Sequence, residues 1–348
     1  PDYEALVYKD RKYSWRQVYD RCTRFASALT KVGIGKGDVV SIMAANTPEM
    51  FEAHYSVPMT GGVANTINTR LDTRTVAYIL DHSDCKVFIV DRQFHNVVVE
   101  ALAQVDREIT VIDIDDKQAD LGDIPAIGKL EYESFLETGD EGFEWIRPDD
   151  EWQAISLSYT SGTTGNPKGV VYHHRGSYLM SMGSISAWNM PNRLTYLYTV
   201  PMFHCNGWGY PWTLAMLHAR VIFIRNIVVK EIFELIDEYD VTHFGGAPIV
   251  LNMIANAPAE DQKALKNKVY VMTAGAPPPS SILQKMESLG FEVMHVYGLT
   301  ETYGHVVHCA WNKDWNSLAE DKRSELKAYQ GVRYPHTEMV SVMNPDTL

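Results

Sequence analysis

The stretch Tyr159 to Val170 reads YTSGTTGNPKGV and stands between two short apolar runs, Ile155 to Tyr159 and Val170 to Tyr172. Small and hydroxylated residues separate the two runs, so the pattern predicts a strand, a loop and a second strand. The loop is not a Walker P-loop, because neither Gly162 nor Gly165 is followed at the required distance by Gly-Lys-Ser or Gly-Lys-Thr. An ordinary polar hairpin loop is also rich in Ser, Thr and Gly, and it stays an alternative.

The chemistry of this loop suits an anion. Gly162, Gly165 and Gly169 let the backbone turn its N–H groups toward one point, and neighbouring hydroxyls add donors there. Lys168 adds a mobile cation, so the natural occupant is a polyphosphate. The residues predicted to face it are Thr160, Ser161, Gly162, Thr163, Thr164, Gly165 and Lys168.

Composition narrows the class of protein. The 348 residues carry 31 Lys and Arg against 44 Asp and Glu, a net charge of −13, which disfavours nucleic acid and anionic membranes as partners. The four cysteines are scattered without CxxC spacing, which disfavours a zinc site or a disulfide framework and favours a reducing compartment. No apolar run reaches the length of a membrane span, so we expect no transmembrane segment.

The first helix is the most legible element. Ser14 and Gln17 form a predicted capping box, apolar residues follow at helical spacing from Val18 to Val32, and Gly33 closes the helix. Further along, helices alternate with buried-looking strands such as Lys86 to Val90. This alternation predicts an α/β fold with mostly parallel sheets.

Three other segments carry local predictions. The acidic, proline-containing stretch from Asp115 to Asp150 is predicted to be an irregular surface excursion. A helix is predicted from Trp208 to Leu217, beginning near Asn206. The run Glu338 to Met343 has the composition of a strand.

A second motif, Val296 to Thr302, reads VYGLTET and ends an apolar strand. Tyr297, Thr300 and Glu301 should therefore project from the strand end into a loop. There they offer an aromatic face for a purine, a hydroxyl for a phosphate and a carboxylate for Mg²⁺, which prefers one or two carboxylates plus phosphate oxygens. The alternative is a plain strand end with a solvated Glu301.

Both motifs resemble signatures of the adenylate-forming superfamily, which includes acyl-CoA synthetases, luciferases and the adenylation domains of peptide synthetases. Two further matches lie in the family's order, Pro201-Met202-Phe203-His204 and Gly275-Ala276-Pro277. The resemblance implies that Tyr297 stacks on adenine, that Thr300 touches the α-phosphate and that Glu301 holds magnesium.

The same resemblance implies roles for other residues. Gly275, Ala276 and Pro277 would line the adenine, and His295 would face its amino group, where family members more often have Asn or Asp. His204 would sit between the carboxylate pocket and the nucleotide. The resemblance therefore implies two overlapping sets: a catalytic set of Lys168, His204, Thr300 and Glu301, and an acid-binding set of His204, Trp208 and Gly298.

The branch of the superfamily is indicated by the residues around His204. Amino-acid-activating relatives have an Asp there that captures an ammonium group, so an amino-acid substrate is disfavoured. The stretches PMFHCNGWGYPW from Pro201 and YSWRQVYDRC from Tyr13 look most like the branch that converts short-chain, medium-chain or aryl acids to coenzyme A thioesters. Methylthiopropionate–CoA ligases and plant acyl-activating enzymes belong to that branch.

The implied reaction uses ATP, Mg²⁺ and coenzyme A: the acid becomes acyl-AMP, and the thiol then displaces AMP. Two other classes stay open. The parent could be a luciferase-like or other adenylating enzyme, or the chain could serve as a nucleotide-dependent binding module. A homodimer is compatible with the sequence, and the identity of the acid is open. The expected location is the cytoplasm, or a peroxisome in a eukaryote.

The resemblance also implies an organisation. We expect two packed α/β subdomains, approximately 40–188 and 1–35 with 192–310, and the start of a small β-rich subdomain over 311–348. The family's hinge and small C-terminal domain, with its adenylation lysine, would lie outside this sequence, so this chain alone should be inactive or weak.

Trp208 carries a prediction about the size of the acid. If a helix begins near Asn206, Trp208 lies one turn beyond His204 on the same face, and its indole would limit the depth of the acyl pocket. The alternative is an indole packed in the core. Two histidine pairs, His173–His174 and His305 with His308, lack a metal-site signature, so metal binding by either is disfavoured.

Overall fold

A computed structural model of the chain describes residues 2–160 and 165–347. The described strands form two sheets. The strands are β1 (Glu4–Tyr8), β2 (Arg11–Ser14), β3 (Val39–Met43), β4 (Val63–Thr66), β5 (Cys85–Asp91), β6 (Thr110–Ile114), β7 (Leu130–Glu131), β8 (Ala154–Thr160), β9 (Lys168–His173), β10 (Thr195–Tyr198), β11 (Arg220–Phe223), β12 (His243–Gly246), β13 (Val269–Thr273), β14 (Phe291–Leu299), β15 (Gly304–His308) and β16 (Val332–Arg333).

The two sheets are parallel in their middle and antiparallel at three of their four described edges, since the edge strand β7 pairs parallel with β6. Within the described residues, one sheet has the order β16-β15-β14-β13-β12-β10-β11-β1-β2 and the other β7-β6-β5-β3-β4-β8-β9. Strands β10 to β14 run parallel in the first sheet, as do β3 to β8 in the second, whereas β8 and β9 form an antiparallel hairpin. The prediction of an α/β fold with mostly parallel sheets is confirmed.

Helices cover both sheets. They are α1 (Trp15–Lys31), α2 (Pro48–Met59), α3 (Thr73–His82), α4 (His95–Leu102), α5 (Tyr132–Glu137), α6 (His174–Ala187), α7 (Tyr210–Met216), α8 (Val229–Tyr239), α9 (Pro248–Ala255), α10 (Ser280–Ser288) and α11 (Glu320–Lys327). None of these helices combines the length and the apolar character needed to cross a bilayer.

Helix α1 begins as its sequence predicts. The hydroxyl of Ser14 accepts the N–H of Gln17 at 3.3 Å, and the N–H of Ser14 donates to the Gln17 side chain at 2.8 Å. This capping box satisfies two backbone donors that a helix start otherwise leaves open. The buried stripe of α1, which includes Val18, Cys22 and Phe25, faces the interior.

The largest apolar cluster is shared by the two sheets. It contains Val221 of the first sheet, Val40 of the second and Phe25 of α1. Separate clusters lie under α8 to α10, around Phe233, and under α3 and α4, around Val76. Burying one large apolar side chain contributes about 1.5–3 kcal/mol, so the shared cluster holds the sheets together more than any single contact does.

Three charged side chains and one tyrosine hydroxyl also join the sheets. We call them the ionic cluster: Asp91, Asp116, Arg225 and Tyr8. Arg225 lies 2.6 Å from Asp91 and 2.7 Å from Asp116, and the Tyr8 hydroxyl donates to Asp116 at 2.6 Å. Arg225 is 5% exposed, so these charges are paired away from water. The cluster links the ends of β1 and β11 to the end of β5 and the segment after β6.

The predicted excursion from Asp115 to Asp150 is irregular only in part. It contains α5, whose Tyr132 and Phe135 are buried. Tyr132 stacks on Phe25 with ring centroids 4.4 Å apart, and its hydroxyl donates to Glu52 at 2.9 Å. The acidic composition of the stretch conceals a short apolar face at helical spacing.

The run Glu338 to Met343 has the composition of a strand but forms no strand in the described chain. Strand-like composition is not sufficient, since a strand also needs a neighbouring backbone to pair with. The opposite case concerns β1 and β2. They form a hairpin at one edge of the first sheet, with β1 parallel to β11, and the sequence analysis did not predict them.

Candidate functional site

The β8–β9 hairpin carries the YTSGTTGNPKGV stretch. Thr160 pairs with Lys168 at the end of the antiparallel pairing of β8 with β9, so the two predicted strands are confirmed. Ser161 to Thr164 lie outside the described residues. Lys168 is exposed and forms no ion pair with a described residue, and no atom of the described residues lies within 4 Å of a β-carbon built at Gly165. The hairpin therefore presents an exposed cation at the start of β9.

A loop from Pro201 to Gly209, which we call the 201–209 loop, follows β10 and is fixed to the second sheet by Asn46. The Asn46 amide donates to the carbonyls of Tyr198 and Val200, both at 2.9 Å, and its oxygen accepts the N–H of Met202 at 2.9 Å. All three hydrogen bonds of this buried amide go to backbone groups of one segment. The loop therefore has a defined position relative to β3, which ends just before Asn46.

The helix predicted from Trp208 to Leu217 is confirmed over Tyr210–Met216, but its predicted start near Asn206 is wrong. Residues 205–208 form a left-handed turn, with φ of 44° at Cys205, 42° at Asn206, 60° at Gly207 and 59° at Trp208. Left-handed backbone is disfavoured for most L-residues and is tolerated best by Gly and Asn. The Asn-Gly pair at 206–207 is a known signal for two such residues in a row. A regular right-handed helix, α7, starts only at Tyr210.

This turn changes the geometry expected for Trp208. His204 and Trp208 are not neighbours on one helix face, although the Trp208 N–H does donate to the His204 carbonyl at 3.3 Å. The indole is 6% exposed and packs against Gly245 of β12 and, edge to face, against His305 at 5.2 Å. A β-carbon added at Gly245 would come within 3.0 Å of the indole, so glycine is needed there.

The loop after β14 contains Thr300 and Glu301 and contacts both segments above. The Tyr172 hydroxyl of β9 donates to the Thr300 carbonyl at 2.6 Å. The Sγ atom of Cys205 lies 3.4 Å from the Thr300 hydroxyl. Burial raises the pKa of Cys205 and of Tyr172, so both groups keep their protons at neutral pH. Thr300 is thus the point at which three segments distant in sequence meet.

Tyr303 strengthens the same junction. Its ring stacks on Tyr172 with centroids 4.3 Å apart, and its hydroxyl accepts the N–H of His173 at 3.1 Å. A side chain at Gly176 would collide with the Tyr303 ring, because a β-carbon there would lie 2.4 Å from it. The β8–β9 hairpin and the VYGLTET segment are therefore packed as one unit.

Glycine 298 is required by the backbone path of β14. A β-carbon at this position would lie 1.6 Å from the carbonyl oxygen of Gly304 on the adjacent strand β15. A bulge in the pairing of β14 with β15 occurs between Tyr297 and Gly298. Tyr297 next to the bulge is 39% exposed, so its ring is available at the surface.

The Gly275-Ala276-Pro277 segment leaves the end of β13, the strand beside β14. All three residues are exposed, and Gly275 has a φ of 93° with open space around it. Ligands in open α/β sheets collect at the carboxyl ends of strands. Thr273, the last residue of β13, pairs with His295 of β14, so the segment after β13 and Tyr297 lie at the same end of the two strands.

His295 is buried, whereas Tyr297 two residues later is exposed. It is 2% exposed, and its Nδ1 atom lies 2.8 Å from the carbonyl of Ala328, just after α11. Burial lowers its pKa, so the ring is neutral at pH 7. The contact of His295 with an adenine amino group stays a prediction, and this burial favours a supporting role beneath the strand end.

His204 lies on the 201–209 loop with its side chain exposed, and the adjacent Cys205 is buried. Although His204 is exposed by surface area, neighbouring protein atoms partly desolvate its imidazole and lower its pKa below the ordinary value, so the ring is mostly neutral at pH 7. A neutral imidazole donates a hydrogen bond from one nitrogen and accepts one at the other. Such a ring can donate a hydrogen bond to a carboxylate without forming an ion pair with it.

The donor set for a cation is small. Glu301 is exposed and forms no ion pair with a described residue. No group of three His, Cys, Asp or Glu side chains in the described chain is arranged to hold a metal ion. A single carboxylate of this kind fits Mg²⁺ that takes its other ligands from phosphate and water.

The fold is of the α/β class, and it presents an exposed cation at the start of β9 and an exposed aromatic ring and carboxylate at and after the end of β14. The model of the AMP-binding enzyme family matches residues 1–348, and the chain belongs to this family.

Curated relatives support the same family. The chain is 46% identical to a peroxisomal acetate/butyrate–CoA ligase of Arabidopsis thaliana over 358 residues, covering 100% of this chain and 63% of that protein. It is 42% identical to a 2-methylpropanoate–CoA ligase of Humulus lupulus, covering 99% of this chain and 63% of that protein. The chain thus spans about 63% of the length of these relatives.

A solved structure shares the fold. The fatty acyl CoA synthetase of Mycobacterium tuberculosis superimposes with a TM-score of 0.77 at 26% identity, covering 88% of this chain and 58% of that chain.

Several residues at the site were missed by sequence reasoning: Asn46, Tyr172, Cys205, Asn206 and Tyr303. The Asn-Gly pair is the one local signal that could have identified Asn206. The other residues act through partners far away in sequence, so no local pattern marks them.

Proposed function

We propose that the chain is the large nucleotide-binding part of an ATP-dependent acid–CoA ligase. Its substrate is a short-chain carboxylic acid, which it activates as acyl-AMP and transfers to coenzyme A. The proposal rests on the convergence at Thr300, where the phosphate-loop hairpin and the 201–209 loop meet the VYGLTET segment. The short-chain ligase names of the curated relatives support the choice of substrate.

The first step needs two negatively charged partners to approach each other. A carboxylate oxygen bonds to the α-phosphorus of ATP while the bond from that phosphorus to pyrophosphate breaks, and no proton is transferred. The repulsion between carboxylate and triphosphate must be neutralised and the attack held in line. Lys168 supplies mobile positive charge, and the Thr300 hydroxyl offers a donor for the α-phosphate.

Glu301 is the residue that would hold magnesium. It is exposed, stands next to Thr300, and has no described cation that would compete for its carboxylate. Magnesium, when bound, neutralises phosphate charge and orients the triphosphate for attack.

The adenine would lie at the ends of β13 and β14. Tyr297 offers an exposed ring for stacking, and the open backbone of Gly275 to Pro277 allows a flat base to approach closely. His295, buried below, would brace this surface through its contact with Ala328.

The acid would enter past His204. Its neutral imidazole would donate one hydrogen bond to the carboxylate and leave the oxygen nucleophilic. The acyl chain would then run toward Trp208 and Gly298. Packing of the indole on Gly245 leaves little depth there, which favours short acids.

In the second step the sulfur of coenzyme A bonds to the acyl carbon, the bond between that carbon and AMP breaks, and the thiol proton leaves to solvent. Because the chain spans about 63% of the length of the curated relatives, we propose this turnover for the full-length protein. We also propose a cytoplasmic location, or a peroxisomal one by analogy with the Arabidopsis relative, and a homodimer as one possible assembly.

The test is a panel of acids in a coenzyme A-dependent AMP-release assay with the full-length protein. We expect acetate, butyrate and 2-methylpropanoate to be the best substrates, with AMP and acyl-CoA formed in equal amounts and no oxygen uptake. Oxygen consumption would indicate a luciferase-like enzyme. Nucleotide binding without AMP release for any acid would indicate a binding module.

A further inference from the structure

Asn206 forms a buried bridge between the two sheets. Its side-chain oxygen accepts hydrogen bonds from the hydroxyls of Ser156 at 2.7 Å and Ser158 at 3.1 Å, and its amide nitrogen donates to the hydroxyl of Thr66 at 3.1 Å. Asn206 is 0% exposed, and its three partners are also buried. Thr66 in turn donates to the carbonyl of Phe203 at 3.0 Å.

These partners are not arbitrary members of the second sheet. Ser156 and Ser158 lie on β8, the strand that leads directly into the phosphate loop. Phe203 is the residue before His204. The bridge therefore connects the segment that presents His204 to the strand that presents the phosphate-loop donors, without passing through any exposed group.

Two separate requirements meet at position 206. The backbone has a φ of 42°, which Asn and Gly tolerate better than other residues. The side chain must both accept two hydrogen bonds and donate one, which an amide does and a carboxylate does not. Glycine would meet the first requirement alone, and aspartate would meet the first but could not donate to Thr66.

We propose that Asn206 is a positioning residue for acid activation: it fixes the 201–209 loop relative to β8, so that the carboxylate beside His204 is aligned with the α-phosphate. The inference rests on the proposed function. Asn206 touches neither the acid nor ATP, and it acts through His204 and the phosphate-loop hairpin. A shift of about 1 Å in such an alignment costs on the order of 10²-fold in rate.

The two half-reactions of the full-length protein separate this role from general stability. Acid-dependent exchange of pyrophosphate into ATP requires alignment of carboxylate and α-phosphate, whereas conversion of supplied acyl-AMP and coenzyme A to thioester starts after that alignment. For Asn206→Gly we expect exchange to fall on the order of 10²-fold. ATP affinity and the thioester half-reaction should stay within about threefold of wild type, a change of less than 1 kcal/mol.

The matched control is Asn189→Gly. Asn189 also has a left-handed backbone, with a φ of 50°, but it is exposed and its side chain makes no hydrogen bond in the described chain. We expect this variant to behave as wild type in both half-reactions.

A second test does not depend on altering position 206 alone. The double variant Ser156→Ala/Ser158→Ala removes the two donors to Asn206 and should reproduce the loss of exchange. Adding Asn206→Gly to it should cost little more, because residues of one network are not additive. If Asn206→Gly does not fold, the serine pair alone decides the outcome.

Exchange within threefold of wild type in the bridge variants would overturn the proposal. An equal loss in both half-reactions would also overturn it, because this would indicate general damage. Failure of the proposed function is distinguishable, since wild type itself would then show no acid-dependent exchange.

Discussion

The two sheets are joined by polar groups in two regions of different chemistry. Near Thr300 the links are neutral hydrogen bonds that the side-chain amides of Asn46 and Asn206 make with backbone carbonyls and hydroxyl groups. At the other region, the ionic cluster, Arg225 is paired with two buried carboxylates. Neutral hydrogen bonds keep fixed directions and place no permanent charge beside the proposed reaction between a carboxylate and a triphosphate. Removing one partner of a buried charge pair is costly. Such a pair therefore suits a region that stabilises the fold and takes no part in the proposed chemistry.

The largest expected effect tests the ionic cluster. Arg225→Met should lower the free energy of unfolding by about 3–5 kcal/mol, because it leaves Asp91 buried without its cation and Asp116 with only Arg11, 4.0 Å away. Urea unfolding of the full-length protein measures this loss, and turnover per folded molecule should stay near wild type. Arg16→Met is the control, since Arg16 pairs with Asp2 at an exposed position and should change stability by about 0.5 kcal/mol or less.

A loss below about 1 kcal/mol in Arg225→Met would contradict the assignment of the cluster to stability. A selective loss of turnover at unchanged stability would remove the contrast between the two regions.

The next prediction concerns Glu301, the exposed carboxylate that follows β14. Glu301→Gln keeps the shape of the side chain and removes the charge that a hard cation requires. We expect ATP binding to persist and pyrophosphate exchange to fall by about 10²-fold or more, the scale of one electrostatic contact in a transition state. Exchange measured over a magnesium titration tests this, with the exposed Glu234→Gln as control. An unchanged rate with unchanged magnesium dependence would refute the role of Glu301.

A smaller and graded effect concerns Trp208, whose position follows from the left-handed turn. If the indole closes the acyl pocket, Trp208→Ala should shift preference toward longer or bulkier acids. One methylene in an apolar pocket is worth about 1–3 kcal/mol, so the shift should increase along a series from butyrate to dodecanoate. The measurement is kcat/KM for each acid.

Trp188→Ala provides the comparison for Trp208, because Trp188 is a buried indole that packs on Tyr196 and His243 in the core. It should lower the melting temperature and leave acid preference unchanged. The same uniform behaviour in Trp208→Ala would assign Trp208 to the core.

The last prediction concerns the slope of stability with pH and not a fixed loss. Burial lowers the pKa of His54 and His243 to about 4 and that of His305 to about 3. Below about pH 6.5 these rings bind protons in the unfolded chain but not in the folded chain. The free energy of unfolding therefore decreases as the pH is lowered from about 6.5 toward the folded-state pKa values. Each ring contributes a slope of up to about 1.4 kcal/mol per pH unit.

His305→Phe should reduce that slope in urea unfolding at a series of pH values between 7 and 5. The exposed His218→Asn, at a position with a φ of 49° that Asn tolerates, is the control. An unchanged slope in His305→Phe would show that His305 is not the neutral buried ring inferred from its surroundings.

The parts of the fold that sequence reasoning predicted are those encoded locally. The capping box of Ser14 and Gln17 and the hairpin around the phosphate loop depend on residues a few positions apart. The short helix at Tyr132 was missed because acidic neighbours masked its apolar spacing. The Asn206-Gly207 pair did carry a local signal, but a right-handed helix was predicted in its place.

The parts that could not be predicted depend on distant pairings. Asn206 lies 140 positions from Thr66, and Arg225 lies 134 positions from Asp91. Only the topology of the sheets brings such residues together. The motifs thus indicated candidate groups for the site, and their roles stay predictions, while the links between the segments that carry them became visible only in the folded chain.

The most direct test of the proposed chemistry is the stoichiometry of a single turnover of the full-length protein with ATP, butyrate and coenzyme A. We predict equal amounts of AMP, pyrophosphate and butyryl-CoA, with butyryl-AMP accumulating when coenzyme A is left out. Formation of ADP and phosphate, or of AMP without thioester, would contradict the proposal that this site activates a carboxylic acid by adenylation for transfer to coenzyme A.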